Sequence, residues 1–322
     1  MKTQVLFLSL LLSFTQNCLA IDKPVIRLGT LPFGTVNWEL AALDNEGLDD
    51  SAGFSLEIQH VATPQAGKIA LQSGAVDIIV SDWIWVSRTR WDGFEFTFYP
   101  YSSTSGALLV PKDSPIRTLP DLDGKILGIA GGELDKNWLL LQALAMKKYQ
   151  LNLNQSVEKV YAAPPLLNQQ ILQGRVDAIM NYWHFAVRLE TQDYRKILDG
   201  NQIIQELGIA AIVPSLGYVF NQKWAEANRS ALDQFLQATR KSKDLICDSD
   251  AVWGKIIPLN RTENKNTQNL LRQRYCNGRI RNWGTAELKA ADRIYSLLSK
   301  YSNSRLTGSA KQIQPGTFWS LP

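Results

Sequence analysis

At 322 residues, 45% of them apolar and 20% charged, the chain is long enough for one large domain or two of medium size and has the composition of a globular protein. Its 34 basic and 30 acidic residues give a formal net charge of +4, too even a balance for a nucleic-acid binder, which carries a basic stripe or patch. Its three cysteines have no histidine clustered beside them, which excludes a zinc site of the usual kind.

Residues 1–20 read as a secretory signal peptide. Lys2 supplies the positive start, 5–14 an apolar run rich in leucine, and Cys18-Leu19-Ala20 small residues before a cut after Ala20. The apolar run is too short for the roughly 20 residues of a membrane span. Gln16-Asn17 is a poor context for a lipid anchor on Cys18. The mature chain is expected to be soluble and exported, with 33 basic residues against 30 acidic once Lys2 is gone.

Residues 25–28 read as a first strand. A loop holding Phe33 and Gly34 follows, then a helix from about Asn37 that Gly47 ends. Residues 54–58 alternate apolar and polar as a strand does. Pro64 suits a first helical position, and that helix stops at Gly74. The apolar run 76–80 has the character of a strand buried on both faces of a parallel sheet.

The same order then recurs, with strand 125–130, Gly131-Gly132, helix 136–148, strand 157–161, a helix opened by Pro164-Pro165 and ended by Gly174, and buried strand 176–180. The recurrence is literal. Residues 37, 38, 40, 62, 64, 74, 76, 77, 79, 83 and 88 match those one hundred positions later, eleven identities in 52 positions, where average usage gives roughly three by chance. A period this long is no solenoid. It predicts two similar doubly wound α/β lobes, with strands at 106–110 and 215–220 crossing between them. After Phe220 the pattern turns helical (223–246, 250–257, 267–275, 285–301), a block assigned to the first lobe. The tail from Ser302 has little periodicity and is expected to wrap the surface. Once the leader is removed, Cys247 and Cys276 remain, and an even count in an oxidising compartment predicts one disulfide between them.

Leu71-Gln72-Ser73-Gly74-Ala75-Val76-Asp77 before a buried strand, and Leu119-Pro120-Asp121-Leu122-Asp123-Gly124-Lys125 before a strand leading to Gly131-Gly132, behind an export leader, resemble the periplasmic substrate-binding proteins of ABC transporters. The likeness is greatest to their nitrate/taurine/sulfonate/thiamine-precursor group. The resemblance implies the type II periplasmic binding protein fold, with two doubly wound α/β lobes joined by a two-segment hinge. Lobe 1 would be 21–105 with 218–322, and lobe 2 would be 106–217. It also implies a monomer in the periplasm that captures a small-molecule solute between the lobes and delivers it to an ABC permease in the inner membrane, without chemistry, cofactor or nucleic acid.

In doubly wound sheets ligands sit beyond the carboxyl ends of the strands. That rule selects Phe33, Asn37 and Trp38 after the first strand, and Ser81, Asp82 and Trp83 after the third. It selects Gly131, Gly132, Glu133 and Asp135, then Asn181, Tyr182, Trp183 and His184, in the second lobe, with Ser103 and Thr104 at the hinge. Trp83 and Trp183, related by the repeat, could form an aromatic clamp or cover each lobe's core. Trp38 and Trp138 suit core packing, and Asn37 and Asn137 suit helix caps. Gly131-Gly132 could seat an anion, but Glu133 and Asp135 place negative charge there. With Asp82, these acids suit a cationic or hydrogen-bond-donating ligand, or a hard metal ion, as well as capping. Asp77 and Asp177, and Arg88 and Arg188, read as structural.

A secreted enzyme is the rival class. The chain lacks a Gly-x-Ser-x-Gly elbow, a His-Glu-x-x-His pair, a phosphate loop and a dinucleotide fingerprint. A sensor subunit for a membrane receptor is the other alternative.

Overall fold

The computed structural model describes residues 23–319; the leader and its cleavage point lie outside them. The first lobe's elements come in the order β1 (Val25–Thr30), α1 (Val36–Asn45), α2 (Leu48–Ala52), β2 (Ser55–His60), α3 (Pro64–Gln72), β3 (Ile78–Ser81), α4 (Trp83–Trp91) and β4 (Phe96–Ser102). The chain then crosses into β5 (Ala107–Pro111), β6 (Ile126–Ala130), α5 (Lys136–Tyr149), α6 (Leu153–Ser156), β7 (Glu158–Ala162), α7 (Pro164–Leu172), β8 (Ala178–Asn181), α8 (Trp183–Glu190), β9 (Tyr194–Asp199) and α9 (Gly200–Glu206). It returns through β10 (Leu216–Asn221) and ends in α10 (Gln222–Ala227), α11 (Arg229–Asp248), α12 (Asp250–Ile256), α13 (Lys265–Asn277) and α14 (Thr285–Tyr301).

The strands form two five-stranded mixed sheets, β2-β1-β3-β10-β4 and β7-β6-β8-β5-β9. These are one topology written twice. In each, the first three strands are parallel, and the strand that arrives from the other lobe, β10 or β5, runs antiparallel to both of its neighbours. The hundred-residue repeat is therefore a repeat of sheet positions.

The repeated aspartates do the same work in both copies. The Asp77 carboxylate accepts from the Arg27 backbone N–H at 2.9 Å and that of Asp177 from the Ile126 N–H at 2.8 Å. Each aspartate returns its own backbone N–H to the same residue's carbonyl. Each thus closes the sheet at the point where its third strand begins. Arg88 and Arg188 donate to backbone carbonyls of the C-terminal region, at Arg305 and at Asn260.

Apolar residues of both lobes join in one cluster, from Ile79, Trp83 and Phe98 through Leu108 to Leu140 and Leu144, with Ala291, Ile294 and Leu298 of α14. The helical block touches helices of both lobes. α11 packs on α1 and α2, α13 on both α11 and α8, and α14 on α5, because the apolar stripe of α14 finds its match on the leucine-rich face of α5. The tail then turns back to the first lobe. Arg90 donates to the Pro315 carbonyl, Gln314 N–H to Ser87 Oγ, and Phe318 bridges to Phe98 in parallel. Cys247 at the end of α11 and Cys276 at the end of α13 form a disulfide.

Candidate functional site

The carboxyl ends of β1, β3, β6 and β8 each feed a helix, so four helix starts gather where the two lobes face one another. α4 is capped by Asp82, whose Oδ1 accepts from Trp85 N–H at 2.9 Å. α5 is capped by Asp135, which accepts from the N–H groups of Asn137 and Trp138. Both follow the usual chemistry of a carboxylate at a helix start.

The two caps belong to different sheets, and Lys136 joins them. Its ammonium lies 3.4 Å from Asp82 Oδ2 across the lobe boundary, with side chains 30% and 15% exposed. Burial disfavours the charge on Asp82, but Lys136, Lys68 and the Trp85 N–H outweigh it and hold the carboxyl below its usual range. Burial also works against the Lys136 charge, yet Asp82, Asp135 and Tyr182 raise it above an ordinary lysine. Burial pushes Asp135 up, with Lys136 opposing. Lys68 completes the cluster, 4.9 Å above the Trp85 ring, and burial lowers it. At Gly131, φ is +81°, and a Cβ would come within 2.8 Å of Tyr182 Oη and 3.1 Å of Asp135 Oδ2. Glycine there lets the loop close onto those two groups. Gly132, at φ +83°, has open space where a side chain would be.

Of the residues selected from sequence, Asp82, Gly131, Asp135 and Tyr182 meet here, with Gly132 in the same loop. The others lie elsewhere. Trp83 is 2% exposed, donates from Nε1 to the Pro214 carbonyl, and packs on Tyr295 and Phe318. Trp183 instead meets Trp38 edge-on at 6.2 Å, so the two related tryptophans form no clamp. Trp38 is buried against Trp253 and Tyr275 and offers a ligand no open face. Asn37 caps nothing. Thr35 holds the cap position, and the Asn37 amide donates to the carbonyls of Leu31 and Gly34, fixing the loop that leaves Phe33 55% exposed. Asn137 is no cap either, its amide lying close to Gly106 and Gly200. Ser81 and Asn181 are buried, Asn181 spending its amide on Pro164 and Asn168.

Ser103 and Thr104 line a separate cavity of about 330 Å³ on the hinge, together with Trp183. Two ion pairs also line it, Arg274–Glu190 at 2.8 Å and Lys196–Asp199 at 2.7 Å. Among the described residues, no group of three or more histidine, cysteine or acidic side chains is arranged to hold a metal ion, and no helix is long and apolar enough to cross a membrane.

His184 packs on Phe185, and its Nδ1 lacks a partner. Burial, with Arg188 adding repulsion, lowers its pKa from 6.5 to about 4. The unfolded chain therefore binds this proton from pH 6.5 downward and the folded chain only near pH 4, so stability falls as pH drops between them. The span is about 2.5 in pH, worth roughly 1.4 kcal/mol for each, so the loss should be about 3 kcal/mol. Urea melts from pH 7 to 4 should show that slope, and His184→Gln should flatten it. An equal slope in the variant would assign it to other groups.

Lys136 was passed over in the sequence. Lys136 carried a signal. A cation in the first turn opposes the helix dipole, so a lysine there implies a nearby anion.

The NMT1/THI5 like family profile matches residues 42–249. No curated protein matches the chain by sequence. Solved structures share its fold. The periplasmic aliphatic sulphonate binding protein SsuA of Escherichia coli superposes with a TM-score of 0.72 at 17% identity, covering 92% of each chain. The alkanesulfonate-binding protein SsuA of Xanthomonas axonopodis pv. citri, bound to MOPS, gives 0.68 at 15%, covering 93% of this chain and 99% of that one. The desulfurization enzyme DSZB gives 0.57 at 15%, covering 87% and 93%. The two-lobed fold is thus that of periplasmic binding proteins, and with the family profile covering 208 of its 322 residues, the chain belongs to the NMT1/THI5-like family.

Proposed function

We propose that the chain is an extracytoplasmic solute-binding protein. It captures a small molecule between a lobe of 21–105 with 218–322, whose α14 reaches across to α5, and a lobe of 106–217, and hands it to an ABC permease in the inner membrane. The observation that carries this reading is the Asp82–Lys136 pair. An ammonium and a carboxylate from different lobes meet part-buried at facing helix starts, 3.4 Å apart, in the place where doubly wound sheets receive ligands. A solute with its own charges can replace each group's partner, so its binding is linked to lobe closure. The relatives of this fold that bind sulfonates support a charged solute. The protein acts without chemistry and as a monomer in the periplasm, after its leader is cut behind Ala20. An enzyme on this fold is the second reading, favoured by one neighbour, DSZB.

A thermal-shift screen of residues 21–322 with sulfonates, nitrate, pyrimidines and amines tests the proposal. A ligand at 100 times its Kd adds about 2.7 kcal/mol. Lys136→Met and Asp82→Asn should each weaken the hit at least tenfold. Binding indifferent to both variants, or consumption of the ligand, would overturn the assignment. The pH dependence has a definite sign. Asp82 is lowered, so its share of the pair is present above the ordinary Asp value and is lost as pH falls through its lowered pKa. Lys136 is raised, so its share is present below the ordinary Lys value and is lost as pH rises through its raised one. Interlobe closure, followed by small-angle scattering, should therefore be flat at neutral pH and loosen at both extremes.

A further inference from the structure

The outer edge of the first sheet carries a cavity that the interlobe reading does not use. It holds about 280 Å³ between Tyr99 and Tyr101 of β4, the middle of α11, and the segment that follows α13. Four cations line it, and two are already neutralised. Lys243 lies 3.0 Å from Glu39, and Arg279 lies 3.0 Å from Asp244 and 3.2 Å from Asp248.

The other two have no carboxylate within 4 Å among the described residues. Arg240 donates to Tyr99 Oη and lies 5.5 Å from that ring's centroid, which fixes the guanidinium without cancelling its charge. Asp233, nearer the start of α11, faces Arg229 at 3.7 Å. Arg281 is exposed and makes neither ion pair nor hydrogen bond among the described residues.

We infer that this cavity is a second binding site, for a phosphate group, free or on a small monoester. Two uncompensated guanidinium groups on separate elements call for about two negative charges and more acceptor oxygens than one carboxylate offers. Phosphate supplies three or four oxygens, and arginine is the side chain that binds them two at a time. Because Arg240 is already held on Tyr99, little of its freedom is lost on binding.

Isothermal titration of the mature chain with inorganic phosphate, and in a parallel arm with glycerol 3-phosphate, tests the inference. One saturable site is expected. Its Kd should rise at least tenfold in Arg240→Gln and in Arg281→Gln and stay unchanged in Lys136→Met. The exposed Arg281 supports nothing else, so its variant stays informative even if Arg240→Gln disturbs Tyr99. Tighter binding of the monoester would identify the source as an organic phosphate, and equal or weaker binding as the free ion. Absence of saturable binding in both arms would overturn the inference. So would affinity unchanged in both arginine variants, or affinity lost in Lys136→Met, which would put the ion between the lobes.

Discussion

Glu39→Ala should cost roughly 3–5 kcal/mol in a urea melt, the range seen when one partner of a buried ion pair is removed. Glu39 is 1% exposed on the inner face of α1. Its carboxylate accepts from Tyr275 Oη at 2.5 Å and Tyr218 Oη at 3.2 Å, and lies 3.0 Å from the Lys243 ammonium, which also donates to the Tyr101 carbonyl. Burial pushes Glu39 above the usual carboxylate range despite Lys243 and the two hydroxyls. Burial, with the Glu39 charge, pushes Tyr218 and Tyr275 well up. Truncation leaves the Lys243 charge enclosed without a counter-ion. Glu39→Gln, which keeps the shape and can accept from the tyrosines, should lose less. The double change Glu39→Leu with Lys243→Met should be far milder than the sum, since no charge is stranded. A single variant losing under about 1 kcal/mol would mean that water or movement of Lys243 relieves the charge.

Removing the Cys247–Cys276 disulfide should lower stability by about 3–4 kcal/mol. The cysteines are 29 positions apart, and closing a loop of that size restricts the unfolded chain by about that amount in the chain-entropy account. The bond also ties the end of α11 to the end of α13, near the contacts of α13 with α8. Cys247→Ala with Cys276→Ala should shift the guanidinium midpoint down, and reductant should move the wild type to the same place without moving the variant. A difference below about 1 kcal/mol would show that the link adds little beyond the packing around it.

Much of the fold was legible because the strands and helices of both lobes announce themselves by local period, and the repeat tells that the lobes are alike. What the repeat could not show is how identical residues fare in different surroundings. Trp83 and Trp183 hold equivalent positions, but α14 and the tail cover the first while Trp38 meets the second. Helical periodicity shows that α14 has an apolar stripe and is silent on which lobe receives it. At the candidate site the two capping acids were legible, since capping is a local act. The interlobe pairing of Lys136 depends on a distance between sheets, which no local pattern encodes.

The path of the C-terminal region has a mechanical consequence. α11 is packed on α1, α14 is fastened to α5, and the residues after it are fastened to α4 and β4, so the backbone spans the two halves a third and a fourth time. Two plates joined by two adjacent straps can swing freely about them. Further straps set off that line remove this freedom unless they can slacken. The stretch 278–284 that leads into α14 and the turn-rich stretch 302–310 that leaves it are where slack has to be found, so the extent of opening is set there by chain length.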